Sequence, residues 1–285
     1  MISEEPYSLN EAGVFAPPQP VQHRDEEFHP AWFEIMHNMQ SRHFWYLGRH
    51  RFILHSLKRC LSPSERKLHA VDLGGGCGGW IQYLKVHSRD LFAELALADS
   101  SIRALTLAAN VVGPSVKRYQ VDLLRLLWTE RWDVAFLLDV LEHIPQDLVA
   151  LQQIRKALRP SGLLIITTPA LNFFWTYNDV LNQHVRRYSR RDFEELANKS
   201  GFELCFTRYL MFFLSPLLVL SRLKPLDLKN MTEQEIHEHL HKTHKVPPWP
   251  IHQMLRLAFS LETPLGIWLP FPWGASVFAI LRRGD

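Results

Sequence analysis

The stretch VDLGGGCGGW, residues 71–80, places five glycines in ten positions, just after one acid whose carboxylate could do chemistry, Asp72. Glycine-rich loops that close a strand and open a helix let backbone N–H groups and bare Cα atoms approach a nucleotide or an anion. Two cofactor chemistries fit this spacing. Gly74, Gly76 and Gly79 satisfy GxGxxG, and Asp99 follows Gly79 by 20 residues, where a dinucleotide site wants the acid for its ribose. That reading makes the chain an NAD-dependent oxidoreductase. Alternatively, Asp72, Gly74, Gly76 and Gly78 form an acid followed by glycines at alternate positions. A carboxylate this close to the loop repels a pyrophosphate and attracts an amine, so Asp72 favours a cofactor with a cationic end.

Further acids and imidazoles recur at the ends of apolar runs. LADSSIRAL supplies Asp99, YQVDLL supplies Asp122, and WDVAFLLDVLEHIPQD, residues 132–147, supplies Asp139 and His143. ALRPSGLLIITTP follows at 157–169. In this order and at these spacings, the set resembles the class I S-adenosylmethionine-dependent methyltransferases over roughly residues 40–208, and again in the final strand. The loop departs from the family's usual form in reading GGCGG, with Cys77 at a position normally held by a small residue. Ser161 replaces the first glycine of the family's PGG turn.

The resemblance implies roles for the residues that match it. Asp72 orders the loop and faces the α-amine of the cofactor, and Gly74, Gly76 and Gly78 admit its methionine moiety. Asp99 takes both ribose hydroxyls, Asp122 meets the adenine amine with Leu123 packed nearby, and Asp139 sits beside the methionine end. The competing structural role for each acid is to cap the helix that follows its strand. HFWYLGRHRFI, 43–53, resembles an N-terminal segment of the ubiquinone-biosynthesis type of methyltransferase. There an arginine serves the cofactor's carboxylate, which makes Arg49 the expected cation, Arg51 the second choice, and Phe44, Trp45 and Tyr46 pocket walls. FFWTYNDVLNQHVRRYS, 173–189, resembles a run found in bacterial members. It offers His184, Arg187 and Tyr188, with Asp179, to touch substrate or to build a lid by ion pairing, and Trp175 and Tyr177 as further walls. His143 is the expected general base on an acceptor hydroxyl, with His184 as the second catalytic candidate. S-adenosyl-L-homocysteine is the expected product of the cofactor.

The elements that must position these groups alternate. HAVDL, ELALAD, VKRYQVD, RWDVAFLLDV, LLIITTP, FELCFTRY and GASVFAILRR read as strands, and most are separated by amphipathic helices such as DLVALQQIRKAL and SRRDFEELANKSG. Alternation of this kind predicts an α/β, Rossmann-like doubly wound sheet, seven-stranded and parallel, with helices on both faces. The expected organisation is a flexible N-terminal arm over 1–28 and a helical cap over 29–60. The methyltransferase core then covers 61–208 plus 274–285. An apolar, proline-rich insertion over 209–273 comes before the last strand and reads as a lid and substrate-binding region.

Composition bounds the function. The 285 residues are 47% hydrophobic and 21% charged, ordinary for a soluble enzyme. A net charge of +3 with no basic cluster argues against a nucleic-acid partner. The three cysteines, Cys60, Cys77 and Cys205, form no CxxC pair and point to a reducing, cytoplasmic setting. The most apolar run, YLMFFLSPLLVL, is too short to span a membrane, which needs about 20 residues, and leaves peripheral contact as the only membrane role. His237 and His241 stand at zinc-binding i, i+4 spacing, but no third ligand accompanies them, so no metal site is expected. The sequence thus predicts methyl transfer to a small, hydrophobic or aromatic acceptor, most simply by O-methylation. A dinucleotide oxidoreductase and a non-catalytic binding protein on the methyltransferase fold are the alternatives.

Overall fold

The computed structural model describes residues 6–21, 39–40, 42–61, 66–221, 232, 234–235, 238 and 246–284. Nine strands form one sheet: β1 (Ser8–Leu9), β2 (Phe15–Ala16), β3 (Leu68–Leu73), β4 (Phe92–Asp99), β5 (Lys117–Gln120), β6 (Trp132–Leu138), β7 (Leu158–Pro169), β8 (Phe202–Leu210) and β9 (Ser276–Arg283). Their spatial order is β1-β2-β5-β4-β3-β6-β7-β9-β8. The helices are α1 (Phe44–Cys60), α2 (Gly79–His87), α3 (Ile102–Val112), α4 (Asp147–Ala157), α5 (Tyr177–Leu181), α6 (Arg190–Ser200), α7 (Ser215–Ser221) and α8 (Trp249–Trp268).

The seven expected strands are present, β3 to β9, and β3 to β7 run parallel. Two features correct the prediction. The sheet is mixed, because β9 runs antiparallel between β7 and β8. It also gains two strands from a segment expected to be a flexible arm. In residues 6–21, β1 pairs with β2, and β2 adds to the edge strand β5. Tyr7 and Val14 are buried there. The Tyr7 ring packs 4.9 Å from Trp128 and 5.5 Å from Tyr119, and Phe15 stacks 5.0 Å from Tyr119. The Leu127 amide donates to the Tyr7 hydroxyl at 3.2 Å. These partners lie more than 100 residues away, so the polar, proline-containing local sequence gives no hint of them.

The helices form where caps and apolar stripes direct them. Ser101 caps α3 by accepting from the Ala104 amide at 3.2 Å. Ser189 and Asp192 make a reciprocal capping box on α6, which ends at Gly201 in the left-handed region, as its sequence indicated. The helical cap is described from α1 onward. Gly48 of α1 permits close packing by α8, since a Cβ there would stand 2.2 Å from the Phe259 ring.

The antiparallel β9 explains where the insertion lies. Leu210 pairs with Ser276, so residues 211–275 leave and re-enter the sheet at the same end. That end is also where β3, β4 and β6 finish, and it is the end at which open α/β sheets bind ligands. The segment between β8 and β9 comprises residues 211–275. Within it, α8 leaves Ile251, Met254, Leu257, Leu261, Leu265 and Trp268 exposed along one helical stripe. His237 and His241 lie outside the described residues. No helix among the described residues is long and apolar enough to cross a membrane.

Candidate functional site

A cavity of about 710 Å³ opens at the carboxyl ends of the strands. Its floor is the glycine loop. Gly74 adopts φ +71°, and a Cβ there would meet the Val140 side chain at 2.5 Å. At Gly75 a Cβ would stand 2.3 Å from the Asp72 carboxylate. The loop therefore needs glycine both for its left-handed backbone and for the close approach of its neighbours.

Four acids finish or follow strands around this floor. Asp72, near the end of β3, is buried, and neither carboxylate oxygen has a hydrogen-bond partner. Burial pushes its pKa up to about 7, with Arg49 pulling against the rise. Asp99 ends β4 and accepts from the amides of Gly76 and Ser101, each at 2.9 Å. Asp122 accepts from the Leu124 amide at 2.8 Å in a tight turn, with Leu123 beside it on the cavity wall. Asp139 follows β6 at φ +57°, a strained conformation that short polar side chains tolerate better than most. Thr167 donates to it at 2.9 Å, and Arg49 forms an ion pair with it. None of the four caps a helix: α2, α3 and α4 begin at Gly78, Ser101 and Gln146.

Arg49 reaches the site from α1, buried, with its guanidinium 4.3 Å over the Trp45 ring and 5.1 Å from the Tyr46 ring. Its Nε has no hydrogen-bond partner. Phe44, Trp45 and Tyr46 line the same wall, and burial raises the Tyr46 phenol to about 12, so it stays neutral. Gly76 and Tyr177 also line the cavity. Three of the expected site residues lie off it. Gly78 opens α2 at φ +81°, packed under the Val112 side chain. Trp175 is on the surface. Tyr188 is buried in the core, its ring stacked on Phe193 and its hydroxyl donating to Asp147 at 2.9 Å. Arg51 points the other way, toward Thr263 of α8, with Nε 3.5 Å from the hydroxyl.

The far wall is made by two loops that sequence spacing does not connect. His143 ends the turn Leu141–His143, and His184 follows α5. Their rings stand 4.8 Å apart, nearly perpendicular. Asp179 accepts from His184 Nδ1 at 2.9 Å and is clamped by Arg187 through bonds of 2.7 and 3.0 Å. Arg187 also donates to the Ala170 carbonyl, so it builds the wall by ion pairing while still lining the cavity. Burial and the neighbouring His184 push the His143 pKa down to about 3, which keeps that imidazole neutral. Sequence reading passed over Glu142 as a site residue. It is fully buried, lines the cavity, and is raised well above the ordinary carboxylate range by burial and by Asp139. It sits inside an apolar motif, DVLEHIP, where nothing local distinguishes it from a surface glutamate.

The donor set fits S-adenosylmethionine. An orphaned buried carboxylate, Asp72, suits an α-amine. A carboxylate at the end of β4 suits ribose hydroxyls, and the unpartnered edge of Arg49 suits a carboxylate.

Comparison with known proteins agrees with this geometry. Residues 44–205, more than half of the chain, match the model of a methyltransferase domain. No curated protein matches the chain. Among solved structures, one similar chain comes from the complex between the Haloferax volcanii Trm112 methyltransferase activator and a candidate methyltransferase. It is 14% identical at a TM-score of 0.59, covering 93% of this chain and 98% of that one. Phosphoethanolamine N-methyltransferase 2 of Haemonchus contortus, solved with S-adenosyl-L-methionine, is 18% identical at a TM-score of 0.51. That match covers 82% of this chain and 52% of the other. At these identities the structures share the fold.

Proposed function

The chain belongs to the methyltransferase-domain family, and we propose that it transfers a methyl group from S-adenosylmethionine to an oxygen of a small, hydrophobic or aromatic acceptor. The cofactor supplies an electrophilic methyl group on a sulfonium. The chain's own residues hold it and prepare the acceptor. Asp72 faces the α-amine, Asp99 the ribose, Asp122 and Leu123 the adenine, and Arg49 the carboxylate. Asp139 holds Arg49 in place from the methionine side.

The observation that carries this reading is one cavity lined both by the strand-end acids and by the His143–His184 pair. His184, whose tautomer Asp179 sets, is the proton acceptor for the acceptor's hydroxyl, and the neutral His143 beside it positions that hydroxyl. Part of the wall is aromatic, with Phe44, Trp45, Tyr46 and Tyr177, and Met211 and Leu218 join it from the segment between β8 and β9. Such a wall excludes water and favours an apolar acceptor. Away from the cavity lining, the exposed apolar stripe of α8 suits peripheral contact with a membrane or a lipid-like acceptor. The free thiols of Cys60, Cys77 and Cys205 accord with a cytoplasmic setting.

Incubation with S-adenosylmethionine and a panel of phenols, alcohols and amines tests the reading, with S-adenosyl-L-homocysteine as the readout. Phenols are the expected acceptors. His143→Ala should lower kcat on the order of 100-fold or more while leaving the dissociation constant of S-adenosylmethionine near that of the wild type. A thermal-shift titration adds a second arm: stabilisation by NADH and none by S-adenosylmethionine would overturn the assignment in favour of the oxidoreductase.

A further inference from the structure

Glu142, His143 and His184 meet where the loop after β6 crosses the loop after α5. The Val185 amide donates to the Glu142 carbonyl at 2.9 Å and clips the two loops together. One carboxylate oxygen of Glu142 and one ring nitrogen from each histidine all lie within 4.8 Å of one another. We infer that these three side chains form a binding site for a divalent transition-metal cation of the zinc or cobalt type, facing the acceptor end of the cavity.

Three observations support the site independently of the clustering. The Glu142 side chain is fully buried, and neither oxygen has a hydrogen-bond partner beyond the influence of its own backbone N–H. A buried carboxylate left in this state costs stability, and a cation at the point where it meets two imidazoles would remove that cost. His184 is held as metal-bound histidines are held. Its Nδ1 donates to Asp179, which fixes the tautomer and turns Nε2 outward as a ligand, and Arg187 locks Asp179 in turn. The His143 ring is oriented by a hydrogen bond to the Asn182 carbonyl.

The donor set selects the kind of cation. Two imidazoles and a carboxylate suit zinc, cobalt or iron better than magnesium or calcium, which prefer all-oxygen shells. Three protein ligands with the remaining position open to a cavity is the arrangement of catalytic rather than structural zinc sites. Ligand bonds of about 2.0–2.1 Å place tetrahedral donors roughly 3.4 Å apart, so closure needs shifts on the order of 1 Å, within reach of side-chain rotation. Arg49 and Arg187 stand near enough to Glu142 to weaken the field at the site, and Asp139 and Asp179 oppose them. The inference rests on the proposed methyl transfer only for what fills the open position, an acceptor oxygen, and in the cation-loaded protein the cation would activate that oxygen in place of the imidazole lone pairs it occupies. Cation binding itself does not depend on it.

The full-length protein, stripped with a chelator and free of cofactor and acceptor, is titrated with cobalt(II) and followed by visible absorption, with metal content measured by mass spectrometry. One cobalt per chain is expected, with the intense bands of a low-coordinate site, displaced by zinc. Glu142→Gln and His184→Ala should abolish the bands. Asp179→Asn keeps all three ligands and should weaken affinity about 10–100-fold. If the variants fail to fold, paramagnetically shifted proton signals from two imidazoles in the wild-type cobalt protein provide the same answer. Wild-type binding no tighter than that of Glu142→Gln, or the absence of shifted imidazole signals, overturns the site. Because no methyl donor is present, that failure leaves the methyl-transfer assignment standing, and inactive methyl transfer leaves the cobalt result standing.

Discussion

The acids at the two ends of the central strands live in opposite environments. At the start of β6, Asp133 accepts from Arg66 at 2.6 Å, from Arg159 at 2.9 Å and from the His69 amide at 2.8 Å. In β4, Glu94 accepts from Arg131 at 2.6 and 2.7 Å. Burial works against both carboxylates, but these partners together hold their pKa values below the usual range. At the opposite end, Asp72 and Glu142 are buried with no such partners, and both are pushed up. The same residue types thus close one end of the sheet, while at the other Asp72 and Glu142 stay unsatisfied beside the hydrogen-bonded Asp99, Asp122 and Asp139. Unmet buried charge costs folding energy, so its concentration at one end marks where a ligand is meant to complete the structure.

Asp179 contrasts most sharply with Asp72 and Glu142, since it is just as buried at the cavity end yet bound by both His184 and Arg187. Asp179→Ala would leave the buried Arg187 guanidinium without its carboxylate. We expect a loss of about 3–5 kcal/mol, read as a fall in the urea midpoint. A loss below about 1 kcal/mol would place Asp179 with the orphaned acids. Next in size is Asp133→Ala, at about 1–3 kcal/mol, reduced by the exposure of Arg66. The sign follows from the depressed pKa: the stabilisation is present above the unfolded carboxylate value of about 3.9 and disappears as pH falls through the lower folded value. The variant should therefore show a shallower acid limb in its stability profile.

At the cavity end the effects should move from stability to binding. Asp99→Ala should cost about 1–3 kcal/mol of S-adenosylmethionine affinity, measured by calorimetry. Unchanged affinity would remove Asp99 from the ribose. The smallest effect is expected for Asp72→Asn. The folded pKa of about 7 lies above the unfolded value of about 3.9, so ionisation erodes the stability of the cofactor-free protein as pH rises between those values. Asp72→Asn should flatten that slope and lose no stability at pH 8. In the wild type, a cationic amine beside Asp72 should lower its pKa again. Cofactor binding near pH 6.5 should therefore release a fraction of a proton, visible as buffer-dependent heats, and the variant should release none.

The acid-lined part of the cavity was legible because its signals are local. Asp72 and the glycines are contiguous, and Asp99, Asp122 and Asp139 each sit where an apolar run stops. A strand end and its first loop residue travel together in sequence, so position along the chain translates directly into position in the site. Arg49 was singled out through the resemblance of residues 43–53 to a methyltransferase segment, although its pairing with Asp139 was not foreseen. The acceptor half was less readable. His143 and His184 were each singled out, but nothing in the spacing of DVLEHIP and QHVRRY says that their rings come within 4.8 Å. Tyr188 and Trp175 looked like pocket residues by type, and packing sent one to the core and the other to solvent.

The sequence by itself determined the alternation of strands and helices, the glycine loop and the acids that ring it. These follow from periodicity, backbone freedom and the residues at strand ends, all of which act over a few positions. Only the tertiary structure decided that residues 6–21 extend the sheet and that β9 runs backward between β7 and β8. It alone decided that Met211 and Ala275, at the two ends of the segment between β8 and β9, meet at the cavity, and that Glu142 is left buried beside two histidines. Those outcomes depend on which distant surfaces find each other, through burial of aromatic area and pairing of charge across the chain, and no local spacing encodes that choice.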